Sequence, residues 1–78
     1  MTIDYSSMLT VDQKKSILQQ RIAQFAAEAY QHTLNRETCK SLEDLEGVEN
    51  ADKALLLLEK AIEVHTKELN SLPSPEEE

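Results

Sequence analysis

The clearest periodicity lies in the second half of the chain. Val48, Leu55, Ile62 and Leu69 recur every seven residues, and Ala51, Leu58, His65 and Leu72 each follow three residues later. This is an a/d heptad pattern sustained over more than three repeats, and it predicts a helix of about 49–71. Asn50 is a candidate N-cap, although the heptad starts before it. Glu49 with Lys53, and Glu63 with Lys67, stand four apart in the favourable order. Pro73 ends the helix, because it offers no N–H to continue the ladder.

A second stripe runs through the first half. Leu18, Ile22, Phe25, Ala29 and His32 alternate four- and three-residue steps, with Ala26, Tyr30, Thr33 and Leu34 widening the apolar side. Thr10-Val11-Asp12-Gln13 before it reads as a capping box, and Asp12 suits the positive end of the helix dipole. The pattern predicts a helix of about 11–40, with the periodicity weakening after Asn35. The core expected from the two stripes comprises Leu18, Ile22, Phe25, Tyr30, Leu55, Leu58, Ile62 and Leu69.

Between the stripes, Ser41 to Asn50 holds the only glycine and four acids. The chain is expected to reverse over 41–50, with Gly47 in the left-handed conformation that closes a helix end. Residues 1–9 read as an N-terminal arm with Ile3, Tyr5, Met8 and Leu9 available for docking. Residues 73–78 read as a solvated acidic tail. The predicted fold is therefore all-α, an antiparallel helical hairpin over residues 10–72.

A bare hairpin leaves apolar surface over. At ~1.5 Å per residue the first helix would be about 45 Å long and the second about 33 Å, so part of the first lacks cover. Leu56, Leu57 and Val64 lie off the main face of the second helix, and Ile17 lies off that of the first. Leu57 and Val64 are seven apart with Ala54 and Ala61 beside them. This second strip either widens a single core face or is an interface, completing a helical bundle with another copy or a partner. Leu57, Val64, Leu56 and Ile17 are the candidate interaction residues.

Composition narrows the function classes. The chain has 78 residues and a formal charge of −7, enough for one thin core. Residues 1–42 are close to neutral at +1, whereas residues 43–78 carry three lysines and eleven acids. An acidic total argues against a broad nucleic-acid surface. Lys14, Lys15 and Arg21 form only a small basic patch. The apolar run Ala54–Leu58 is far short of the roughly 18 residues that span a bilayer, and MTIDYSSML lacks a signal peptide's pattern. A cytoplasmic protein, or one in a particle assembled there, is expected. One cysteine, Cys39, excludes an internal disulfide framework.

Candidate chemistry is sparse. His65 at a d position reads as a register-setting or partly exposed imidazole rather than a catalytic group. Glu28 and His32 are four apart, a spacing that fits a metal pair. The Glu-x-x-His element of carboxylate-bridged di-metal bundles is missing, however, so no metal or other cofactor is expected. Cys39 lies near Arg36 and Lys40, without a second thiol to resolve an oxidised form. With one glycine in the chain there is no phosphate loop and no nucleophile elbow, and an enzyme is not expected.

The run Leu9-Thr10-Val11-Asp12-Gln13-Lys14-Lys15-Ser16-Ile17-Leu18-Gln19-Gln20-Arg21-Ile22, with Gln24 to Gln31 after it and Ala51 through Glu68 later, resembles small uncharacterised helical proteins encoded by tailed bacteriophages. The resemblance covers about Leu9 to Leu69. It implies a phage accessory or particle-associated protein, placed in the host cytoplasm or the virion, and gives no residue a role. The leading expectation is a non-enzymatic interaction module whose partner is itself or a larger protein assembly. The alternative is an acidic antagonist in which Glu43, Asp44, Glu46, Glu49 and the Glu76–Glu78 tail imitate a phosphate backbone and occupy a host protein.

Overall fold

The computed structural model describes residues 4–73. Two long helices, α1 (Val11–Ser41) and α2 (Leu45–Ser71), pack against each other as an antiparallel hairpin, and no strand occurs among the described residues. The capping box at the start of α1 is formed in both directions. The Gln13 N–H donates to Thr10 Oγ1 at 3.1 Å, and the Thr10 N–H donates to Gln13 Oε1 at 2.9 Å, so two of the four orphan donors of the helix end are satisfied locally. The weak stretch after Asn35 remains helical to Ser41. There Thr38 and Ser41 return their hydroxyls to the carbonyls of Leu34 and Glu37, four residues back.

The reversal takes only Leu42, Glu43 and Asp44, much tighter than the expected 41–50. The Glu43 N–H donates to the Lys40 carbonyl at 3.1 Å, and the Asp44 N–H donates to the Cys39 carbonyl at 2.8 Å. That pair of bonds is a Schellman ending, and it places the residue after the C-cap in the left-handed region. That residue is Glu43, with φ of 59°, and not Gly47.

Asp44 then serves α2 directly. Its carboxylate accepts the Gly47 N–H at 3.0 Å, and its carbonyl accepts the Val48 N–H at 3.1 Å. The N-cap is thus Asp44 and not Asn50, and α2 begins four residues earlier than its heptad suggested. Gly47 lies in the first turn of α2 without a positive φ. Its missing side chain serves close approach instead, since a Cβ there would stand 2.5 Å from Cys39 Sγ and 2.7 Å from the capping carboxylate of Asp44.

The core between the helices is thin. Ala51 and Leu58 are its buried hydrophobic residues. Leu18, Ile22 and Phe25 on α1 and Leu55, Ile62 and Leu69 on α2 line the seam half-buried. Tyr30 does not join them, being 65% exposed. Five residues beyond Phe25 turn a helix through roughly 140°, which carries Tyr30 to the side away from α2.

Polar groups clasp the seam at two levels. The Arg36 Nε–H donates to Asp52 Oδ1 at 2.6 Å near the reversal. Further out, the Arg21 Nε–H donates to His65 Nε2 at 3.2 Å, while His65 Nδ1 lies 2.7 Å from the Ala61 carbonyl. These partners assign the proton to Nδ1. The His65 and Phe25 rings stand edge to face with their centroids 4.9 Å apart, and the Arg21 guanidinium sits 5.0 Å from the centre of the Phe25 ring.

Before α1, Tyr5–Met8 forms a 3₁₀ turn where a structureless arm was expected. The cause is local: Asp4 accepts the Ser7 N–H through its carboxylate and the Ser7 hydroxyl through its carbonyl. Ile3 and the acidic tail from Ser74 onward lie outside the described residues.

Candidate interaction surface

The four candidate interaction residues fall into three places. Leu57 and Val64, 72% and 61% exposed, share one face of α2, since seven residues bring a helix back to within about 20°. Ala54 and Ala61 adjoin them half-buried. The strip therefore runs outward from the seam and is continuous with it.

Leu56 lies about 100° further round the helix. Its neighbours a turn away on that outward side include Lys53 and Lys60, which pair with Glu49 at 3.5 Å and Glu63 at 3.3 Å. Glu63 thus bonds back to Lys60 rather than forward to the expected Lys67. An exposed leucine among such pairs is an isolated apolar residue.

Ile17 belongs to the open end of the hairpin. It lines a shallow hollow of about 190 Å³ with Ser6, Leu9, Lys14, Leu18 and Glu68. That volume is below the roughly 300–1,000 Å³ of small-molecule sites. The hollow is a seam between the 3₁₀ turn and the helices, and it carries no convergent set of catalytic groups.

Several of the ionisable candidates are engaged within the hairpin. Arg21 is taken up by His65 and Phe25, leaving Lys14 and Lys15 from the small basic patch. Asp44 caps α2, Asp52 holds Arg36, and Glu49 approaches Lys53. His32 is half-buried beside Cys39, Gly47 and Ala51 in a hollow near the reversal. Among the described residues no group of three or more histidines, cysteines or carboxylates is placed to hold a metal ion. No described helix is long and apolar enough to cross a membrane.

A second uncovered row was not singled out in the sequence. Ala23, Ala27, Tyr30 and Leu34 are all exposed on α1, and their steps of four, three and four place them on one face turned away from α2. The signal was present in that spacing, but Tyr30 and Leu34 read there as a widening of the inner stripe. Comparison of the chain with protein-family models, curated proteins and solved structures finds no match.

Proposed function

We propose that this chain is a non-enzymatic protein–protein interaction module, a helical hairpin that docks on another protein surface through the strip led by Leu57 and Val64. The observation that carries the reading is the contrast between that strip and the core. Two large apolar side chains stand in solvent beside half-buried alanines, while the buried hydrophobic core is Ala51 and Leu58. Burying such side chains recovers roughly 1.5–3 kcal/mol each when they are fully covered, a large gain for so small a hairpin. The resemblance to small phage-encoded helical proteins makes a phage particle or its assembly the proposed setting. A larger assembly or a further copy of the chain is then the partner.

The competing acidic-antagonist reading draws its energy from charge and differs in its response to salt. Capture of partners from lysate at low and at high salt, with wild type and with Leu57→Glu/Val64→Glu, separates the two. Apolar docking predicts capture that survives high salt and disappears in the double variant. Capture that collapses with salt and ignores the double variant would transfer the function to the acids.

A further inference from the structure

The outward row on α1 remains unused by the docking strip, and its chemistry selects one occupant. The chain as a whole carries −7, so two copies repel each other wherever their charged faces meet. A contact between copies forms most readily where charge is sparsest. Residues 22–35 of α1 contain a single formally charged side chain, Glu28, in a chain that is 29% charged. Glu28 lies about 160° round the helix from Tyr30, away from the row. The outward side of α2, by contrast, is studded with Glu49, Lys53, Lys60, Glu63 and Lys67.

Shape selects the same occupant. With a two-fold axis midway between Ala27 and Tyr30, two antiparallel α1 helices place Ala27 opposite Tyr30 and Ala23 opposite Leu34. Each large side chain then finds an alanine across the contact, which lets the helices approach while the rings and leucines interdigitate. Continuing the row outward sets Gln20 opposite Glu37 and Ser16 opposite Ser41, so no like charges meet along it. A self-complementary patch of this kind is what a two-fold contact requires.

We propose that a second copy of this chain covers the Ala23–Ala27–Tyr30–Leu34 row, α1 against antiparallel α1. The contact spans eight row positions per copy with their flanking residues, fewer than the roughly 20–30 residues a side of a standard interface. A contact this small belongs with weak, transient interfaces, and each copy keeps its α2 strip free for another protein. The inference rests on the interaction-module reading only in treating uncovered apolar surface as functional. It assigns α1 to the copy and α2 to the partner.

Sedimentation from a few to a few hundred micromolar tests it on wild type, Ala27→Glu/Leu34→Glu and Leu57→Glu/Val64→Glu, with circular dichroism confirming helix content. The expected result is a wild-type dimer, an α1 variant whose dimerisation is weakened at least tenfold, and an α2 variant that dimerises like wild type. Should the glutamate pair reduce helix content, Ala27→Lys provides the same test with one helix-favouring residue at an exposed position. A wild type that stays monomeric across the range overturns the proposal, as does an α1 variant that still dimerises. Loss of the dimer in the α2 variant alone also overturns it, by moving self-association to the Leu57 strip and leaving the interaction-module reading intact.

Discussion

Glu43 holds a backbone conformation that an L-residue adopts at a cost of about 1–2 kcal/mol, and glycine adopts freely. The two hydrogen bonds of the Schellman ending keep it there. Glu43→Gly should therefore raise stability, by about 0.5–1 kcal/mol once the greater freedom of glycine in the unfolded chain is subtracted. A urea midpoint that falls on this substitution would show that the glutamate side chain has a stabilising contact of its own. The reversal was poorly legible in the sequence for a related reason. A glycine in a turn region advertises a positive φ, but Gly47 is needed for the approach of Cys39, a contact between residues on different helices. The start of α1 was readable because Thr10 and Gln13 satisfy each other within four residues, and nothing distant enters.

The two helices differ in how well their inner faces could be drawn. On α2 large aliphatic residues stand at the heptad positions and charges mostly elsewhere, so the seam through Leu55, Leu58, Ile62 and Leu69 was legible. On α1 alanines at 23, 26, 27 and 29 spread apolar character around the helix, so the inner stripe wrongly takes in the exposed Tyr30. Alanine is compatible with either environment, so spacing alone does not choose. The same seam grades the expected costs of truncation. Leu58→Ala removes a buried side chain and should cost about 2–3 kcal/mol, within the usual range for such changes. Ile62→Ala removes a half-buried one and should cost about 1–2 kcal/mol. Chemical denaturation of both checks the order, and equal losses would mean that the seam is packed more evenly than the exposures indicate.

At the scale of the whole molecule, a core this thin makes the surface the informative part, and surface is what periodicity describes least well. Heptads name the residues that face a neighbouring helix without saying which neighbour. That is why the Leu57–Val64 strip is visible in the sequence, whereas the positions of Ile17 at the open end and of Leu56 on a charged side are set by the fold. The joint use of Asp44 reaches beyond architecture into kinetics. One residue closes α1 through its N–H and opens α2 through its carboxylate, so a single local event sets the direction and register of both stems before any distant pair has met. Folding should zip outward from there, with little loop entropy to overcome, at rates typical of proteins rich in local contacts. Removing the cap with Asp44→Ala should then slow folding and leave the unfolding rate nearly unchanged, whereas Leu69→Ala, at the far end of the seam, should mainly speed unfolding. Temperature-jump relaxation across a denaturant series, at concentrations below dimerisation, reads the difference. The reverse partition would place the nucleus at the open end, and would make the turn the last part of the hairpin to form.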